Sequence, residues 1–133
     1  MRALSAAGFE PLAAQVAVAA PALGLATAVD IVAARRGRLE LLELKTGWDD
    51  NASYDAACGR MAAPAAALAD SPRNQHQLQM LVTRYLFAAT FGVRPGAALV
   101  RVSADGVHFE RLTPAVAEME AAVVGALASR AAP

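Results

Sequence analysis

The sequence predicts an α/β domain in which helices flank a mixed β-sheet, with the element order βββ-α-ββ-α. Three features indicate this class. Apolar segments separated by turn signals occupy the first third of the chain, and a long amphipathic helix pattern lies in the middle. A second hairpin pattern then precedes a terminal helix. A chain of 133 residues suffices for one compact core, so we expect residues 1–133 to form a single domain.

The first part of the chain predicts three antiparallel strands. Residues 1–14 contain Gly8 and Pro11 and predict at most a short helix before a turn. The predicted strands are 15–20 (QVAVAA), 25–34 (LATAVDIVAA) and 38–45 (RLELLELK). Gly24 and Gly37 mark the intervening turns. The third strand is apolar on both faces for most of its length, which predicts a central position in the sheet.

The segment 46–74 lacks a regular pattern. Polar and turn-forming residues predict a loop at its start: Gly47, Asp49, Asp50, Asn51 and Ser53. The sequence GRMAAPAAALAD, residues 59–70, predicts a short helix. Trp48 and Tyr54 belong to the loop, which we expect to be mobile and to lie beside the functional site.

The main helix has clear signals at both ends. Ser71 is the expected N-cap, Pro72 the first helical residue and Gly92 the C-cap. Its predicted buried stripe consists of Leu78, Leu81, Val82, Tyr85 and Ala89. ALVRVS and VHFERL then form a hairpin around Ala104-Asp105-Gly106, and Thr113-Pro114 opens a terminal helix.

Composition excludes several classes of protein. The net charge is zero, so no global field attracts the chain to nucleic acid or to an acidic membrane, and an anionic ligand needs a local patch or a bound metal. The single Cys58 excludes an internal disulfide and fits a reducing compartment. No apolar run approaches the roughly 20 residues of a membrane span. We therefore expect an intracellular protein, in cytoplasm or nucleus, without a membrane partner.

Three charged residues indicate a candidate catalytic site. Asp30 interrupts an apolar strand, and a carboxylate is costly to bury there unless it is paired or bound to a metal. Strict alternation places Ala28, Asp30 and Val32 on one face, with Val29 and Ile31 on the other. In the next strand, Leu39, Leu41, Glu43 and Lys45 share a face, so that Glu43 and Lys45 can meet Asp30.

The residue types suit metal-assisted hydrolysis. Two close carboxylates repel each other and favour a hard divalent cation between them. Lys45 is the only lysine among the twelve Lys and Arg residues, and an ammonium can titrate where a guanidinium stays protonated. A simpler interpretation remains open, in which Asp30 and Lys45 form a buried salt bridge. Gln79 borders the helix stripe, where it can bind a metal-bound water, a phosphate or a strand end.

This combination resembles the PD-(D/E)XK nuclease superfamily. Asp30, Glu43-Leu44-Lys45 and the helix that carries Gln79 occur in the order of that superfamily. The segments LLELKTG and HQLQMLVTRYLFAATFG are similar to those of its RecB-like exonuclease branch and of nuclease-like proteins from large DNA viruses and protists. The resemblance covers about residues 8–125, nearly the whole chain.

The resemblance implies a restriction-endonuclease-like core and a metal-dependent DNA nuclease. It implies exonuclease-type phosphodiester hydrolysis in DNA repair, recombination or viral DNA processing. Asp30 and Glu43 would be ligands of Mg²⁺, or alternatively of Mn²⁺, with the Leu44 carbonyl as a third ligand. Lys45 would activate the attacking water and stabilise the charged transition state, and Gln79 would position that lysine, a water or the substrate backbone.

Further expectations concern the substrate and partners. By the same resemblance, Thr46, His76 and Arg84 would contact the DNA. The expected partners are DNA and a larger nuclease or helicase assembly, and no organic cofactor is expected.

The sequence departs from the superfamily pattern at four points. Gln15 stands where an acid is frequent, Thr27 where a glycine is usual, and Thr83 where a tyrosine is usual. The N-terminal helix is nearly absent, so the domain is either trimmed or part of a longer nuclease. A catalytically weakened or inactive nuclease-fold domain that binds DNA or protein is therefore the alternative hypothesis. The discriminating observation is whether the Asp30 and Glu43 carboxylates and the Lys45 amine converge in an open cleft.

Overall fold

A computed structural model describes residues 2–48 and 50–132, so Met1, Asp49 and Pro133 lie outside the described residues. Five strands form one mixed sheet that helices flank, which confirms the predicted α/β class. The strands are β1 (Glu10–Ala20), β2 (Leu25–Arg35), β3 (Arg38–Lys45), β4 (Gly96–Ser103) and β5 (Gly106–Arg111). The helices are α1 (Arg2–Ala6), α2 (Asn51–Asp55), α3 (Pro72–Phe91), α4 (Pro114–Ala117) and α5 (Glu120–Ala131).

The strand order in space follows the chain order, β1 to β5. The first three strands are antiparallel, as predicted, and β5 is antiparallel to β4. β4 runs parallel to β3, with Lys45 beside Arg101 at the carboxyl ends of both strands. Parallel neighbours need a crossover connection, and α3 provides it. The end of β3 that carries Glu43 and Lys45 is therefore also the end from which the chain leaves towards α3.

Two apolar clusters lie on opposite faces of the sheet. The larger one contains Leu41 of β3, Leu99 of β4 and Met80 and Phe87 of α3. The smaller one contains Leu42 of β3, Leu4 of the short helix α1, and Phe9, which follows that helix. No helix in the described part of the chain is long and apolar enough to cross a membrane.

β1 begins earlier than predicted. It starts at Glu10 rather than Gln15, so Pro11 lies inside the strand instead of in a turn. β1 is an edge strand, where a missing backbone N–H is tolerated, and a register shift follows between Pro11 and Ala13. α1 confirms the expected short N-terminal helix.

The helix predicted over residues 59–70 is wrong. The segment folds back on itself, with the Met61 N–H donating to the Leu68 carbonyl at 3.0 Å and the Asp70 N–H to the Gly59 carbonyl at 3.0 Å. Pro64 has no N–H to donate to a helix at the centre of this segment. The preceding loop instead contains a short helix, α2. Its N-cap is Asp50, whose Oδ1 accepts the Ser53 N–H at 2.6 Å.

The caps of α3 agree with the prediction, and its buried face agrees in part, since the predicted Leu81 is buried and Val82 and Tyr85 pack against the core. Ser71 and Gly92 are the N-cap and C-cap. The fully buried side chains are Gln77, Met80, Leu81, Thr83, Leu86 and Phe87, whereas the predicted Ala89 is exposed. α3 packs against the sheet, α4 and α5 at once, so its buried arc is set by three neighbours. The predicted terminal helix is broken into α4 and α5 around Met119.

We expect Gly96→Ala to destabilise the fold by about 1–3 kcal/mol. Gly96 lies beside Glu40 in the β3–β4 pair, and an added Cβ would overlap the buried Glu40 carboxylate. That carboxylate accepts a hydrogen bond from Arg111, so the ion pair would have to break. Urea denaturation measures the effect. Gly125→Ala is the control: apart from its chain neighbours and the backbone of its own helix, no atom lies within 4 Å of the new Cβ, and alanine in a helix should be neutral or slightly stabilising.

Candidate active site

The strands β2 and β3 separate at the site. Their pairing runs from Arg35 and Arg38 to Ile31 and Leu42, and it ends there. Beyond this point, within the described residues, Leu25–Val29 pair with β1 alone and the end of β3 pairs with β4 alone. Asp30 and Glu43 are the next residues on the two strands, so both lie where the sheet begins to open.

At Asp30, the side chains of β2 stop alternating between the two faces of the sheet. Val29 and Val32 are three residues apart, yet both belong to the cluster under α3, whereas Ile31 packs on the opposite face. The predicted sharing of faces by Ala28, Asp30 and Val32 is therefore wrong, since Ala28 is exposed. Across from Asp30, Gln15 has a φ of 53°, a left-handed conformation that costs a non-glycine residue roughly 1–2 kcal/mol. The irregularities of the two strands therefore lie at the same level of the β1–β2 pair.

Two fixed hydrogen bonds hold the Asp30 carboxylate. Its Oδ2 accepts the Leu44 N–H at 2.9 Å, and its Oδ1 accepts the Gln15 side-chain amide at 3.2 Å. If β2 continued to pair with β3, the backbone of β2 would be the hydrogen-bond partner of β3 at this level. The Asp30 side chain takes that place by accepting the Leu44 N–H. The side chain of Asp30 is therefore directed between the strands, towards Glu43.

The buried carboxylate of Glu43 lies beside that of Asp30. Its side chain is only 6% exposed. Burial raises the pKa of Glu43 to about 7, and the negative charge of Asp30 and its hydrogen bond with the protonated Glu43 carboxyl act in the same direction. The positive charge of Lys45 opposes this rise in the pKa. Glu43 therefore interacts electrostatically with both Asp30 and Lys45.

Lys45 and Gln79 are in direct contact. The Lys45 ammonium donates to Gln79 Oε1 at 2.8 Å, which joins the end of β3 to the second turn of α3. Lys45 is partly buried and Gln79 is exposed, so the bond lies at the mouth of the opening. The predicted relation between Gln79 and the lysine is thus present in the geometry: the amide oxygen fixes the ammonium beside the two carboxylates.

A second group of side chains supports the site. Tyr54 of α2 is fully buried, and its hydroxyl lies 2.9 Å from His76 Nδ1, one turn before Gln79 on α3. Arg101 stacks over the Tyr54 ring at 5.1 Å and donates to the Trp48 carbonyl at 3.1 Å. The loop predicted to be mobile is therefore anchored on a buried arginine. An arginine within the apolar segment ALVRVS was the sequence signal for this anchor, because a buried cation needs partners.

His76 is close enough to Lys45 to respond to its charge. Burial lowers the pKa of His76, and the positive charge of Lys45 lowers it further, whereas Glu110 acts in the opposite direction. His76 is thus kept neutral near pH 7, with Nδ1 held by Tyr54. Its other ring nitrogen is the one available for a ligand.

We expect Tyr54→Phe to change the tautomer balance of His76 while costing only about 1 kcal/mol of stability. The variant keeps the ring but removes the hydroxyl that contacts Nδ1. Nitrogen NMR of the His76 ring measures the change. Tyr85→Phe, at the only other tyrosine, is the control and should leave the His76 signals unaltered. Unchanged His76 signals in Tyr54→Phe would contradict this arrangement.

The remaining predicted site residues lie in different places. Leu44 is between the two key residues of β3, and its N–H is bound to Asp30. Thr46 follows Lys45 directly and is exposed. Arg84 is not brought to the site: its guanidinium pairs with Glu120 of α5 at 3.2 Å. The described residues contain no group of three or more His, Cys, Asp or Glu side chains placed to hold a metal.

Gln15 and Thr83 take structural roles at the positions where the superfamily pattern differs. Gln15 is a hydrogen-bond donor to Asp30 rather than a third carboxylate. Thr83 is buried, and its hydroxyl donates to the Gln79 carbonyl at 2.9 Å within α3. Thr27 is exposed on the part of β2 that pairs with β1 but not with β3.

No protein-family model matches the chain, and no curated protein matches its sequence.

Proposed function

We propose that this chain is a metal-dependent DNA nuclease with a restriction-endonuclease-like core. One observation carries the proposal: Asp30, Glu43, Lys45 and Gln79 come from two strands and a helix and converge where the sheet opens, with Lys45 bound to Gln79 at 2.8 Å. The parallel β3–β4 pair with its α3 crossover supports the finer fold assignment.

The donor set fits a hard divalent cation such as Mg²⁺ or Mn²⁺. Asp30 and Glu43 are adjacent carboxylates, and burial together with their mutual repulsion raises the pKa of Glu43 to about 7. A cation between them would remove that repulsion, and the Leu44 carbonyl is a third oxygen in the same segment. The Asp30 oxygens accept hydrogen bonds from Gln15 and Leu44, and a bound cation would take the place of the proton through which Glu43 bonds to Asp30. When bound, the metal would neutralise phosphate charge and lower the pKa of a water.

The residues of the chain have separate roles in hydrolysis. Lys45 supplies a compact positive charge for the non-bridging oxygens of a phosphodiester. Gln79 fixes the ammonium, so that little reorganisation is needed when substrate binds. Neutral His76 can donate one hydrogen bond to the phosphate backbone. DNA is the proposed substrate, and a larger nuclease or helicase assembly is the proposed context.

The test is a cleavage assay with linear, circular and single-stranded DNA in Mg²⁺ or Mn²⁺. We expect cleavage by the wild-type protein, its loss in EDTA, and a loss of roughly 10²–10⁴-fold in Asp30→Asn. Asp105→Asn, in the exposed β4–β5 turn, is the matched control and should retain wild-type activity. Cleavage that Asp30→Asn leaves untouched would contradict the proposed site.

A second function, a nuclease-fold module that binds DNA without cutting, is favoured by Gln15. Its amide occupies the place beside Asp30 where a third carboxylate would complete the metal site. This alternative predicts DNA binding without cleavage in any metal. Asp30→Asn would then leave DNA affinity unchanged.

A further inference from the structure

An open cavity of about 320 Å³ adjoins the candidate site. One wall is the part of β2 that does not pair with β3, with Leu25 and Thr27. The other wall is α3, with Leu78, Gln79 and Val82. The cavity thus lies between the helix and the part of β2 that has left β3. Gln79 is shared by the cavity and the candidate active site, since it lines the cavity and also binds Lys45.

The lining is uncharged and mostly aliphatic. Leu25 and Val82 are half-buried and pack on the core, so they form a fixed apolar surface. Thr27 and Gln79 are exposed at the rim and offer a hydroxyl and an amide. A flat neutral ring with polar edges suits such a cavity better than a phosphate, for which the lining has no cation. Aliphatic and aromatic side chains hold nucleobases in this way in enzymes that act on unpaired nucleotides.

We propose that this cavity receives an unpaired nucleobase next to the phosphodiester held at Lys45, so that the preferred substrate is single-stranded or frayed DNA. The inference rests on the proposed nuclease function. The base would enter the cavity while its backbone passes Gln79, whose amide oxygen marks the boundary between the two subsites. A base inside a duplex cannot reach the cavity without leaving its stack.

Binding of a short single-stranded oligonucleotide that carries 2-aminopurine tests the proposal, with Ca²⁺ as the cation. Thr27→Phe would fill the cavity, because Thr27 lies on the same side of β2 as the core residue Val29. Ala28→Phe adds the same ring to the next, exposed residue, which does not line the cavity. We expect Thr27→Phe to weaken binding by roughly tenfold or more, because the base would lose the apolar surface that the cavity offers it, and Ala28→Phe to change binding by less than about twofold.

A second arm replaces the 2-aminopurine by an abasic site. Wild-type affinity should fall by a similar factor, and Thr27→Phe should show little additional loss, because both changes remove one contact. Equal binding by the two phenylalanine variants, or the absence of DNA binding, would overturn the proposal.

Cleavage assays on the same variants separate this inference from the function on which it rests. Metal-dependent cleavage that is indifferent to Thr27→Phe and to the abasic site would refute the base cavity and leave the nuclease in place. Base-dependent binding without cleavage in Mg²⁺ or Mn²⁺ would support the cavity and refute the nuclease.

Discussion

Lys45→Ala is expected to lower the rate of DNA hydrolysis by roughly 10²–10⁴-fold while the protein remains folded. The ammonium is the single positive charge that the site places beside Asp30 and Glu43, and it is held by Gln79 at 2.8 Å. Single-turnover cleavage in Mg²⁺ measures the rate, and thermal unfolding checks the fold. Equal rates for the variant and the wild type would rule out a role for the lysine.

Two further variants make this test sharper. Lys45→Arg keeps the charge, but a guanidinium does not titrate and cannot take the place of a compact ammonium at Gln79, so we expect a loss of at least about tenfold. Gln79→Ala should also slow cleavage, but it should have little further effect in the Lys45→Ala background, because both changes break one contact. Full activity of Lys45→Arg would mean that charge alone suffices.

Glu43→Gln is expected to stabilise the metal-free protein above pH 7, on the order of 2 kcal/mol after allowance for solvent near the pair. The pKa of Glu43 is raised from its ordinary value of 4.5 to about 7, first by burial and then by Asp30. The folded chain therefore binds this proton more tightly than the unfolded chain does. The contribution of Glu43 to stability is therefore fully present below pH 4.5 and is lost as the pH rises through about 7, because ionisation of this carboxyl costs more in the folded state.

Denaturation in EDTA between pH 5 and pH 8 measures this dependence. The advantage of Glu43→Gln should grow as the pH rises through this range, and Mg²⁺ should stabilise the wild type but not the variant. Glu118→Gln, an exposed glutamate between α4 and α5, is the control and should show no such trend. A wild-type protein that gains stability towards pH 8 relative to Glu43→Gln would contradict the proximity of the two carboxylates.

Elements that depend on local signals were predictable from the sequence. β3 has its predicted bounds, and α3 has its predicted N-cap at Ser71 and C-cap at Gly92. Caps and turns are encoded by a few adjacent residues, so a single sequence is enough to identify them. The failed helix at residues 59–70 has a different cause: alanine-rich composition favours a helix, but hydrogen bonds between the two arms of that segment determine its shape.

Features that depend on several segments were not predictable. The buried face of α3 depends on the sheet and on α4 and α5 together. The reversal of side-chain faces at Asp30 accompanies a left-handed conformation of Gln15 in the neighbouring strand. Strict alternation was used to predict that Asp30 lies near Glu43, and it wrongly placed Asp30 on the same face as Ala28 and Val32. The Asp30 and Glu43 carboxylates are nevertheless close to each other in the structure.

The candidate site likewise has one part that was predictable from the sequence and one part that was not. Asp30, Glu43, Lys45 and Gln79 were identified from residue types and order, and the structure brings them together. The support that Tyr54 and Arg101 give to His76 was missed, because it joins three segments distant in sequence. Arg84 was selected through a sequence resemblance, but α5 contributes Glu120 as its partner.

The binding of Mn²⁺ to the metal-free protein, followed by electron paramagnetic resonance, tests the central claim most directly. It requires no knowledge of the DNA substrate. We expect saturable binding by the wild type, its loss in both Asp30→Asn and Glu43→Gln, and its retention in Glu118→Gln. Mn²⁺ binding that both site variants retain, or a wild-type protein that binds no Mn²⁺, would contradict a metal site formed by Asp30 and Glu43.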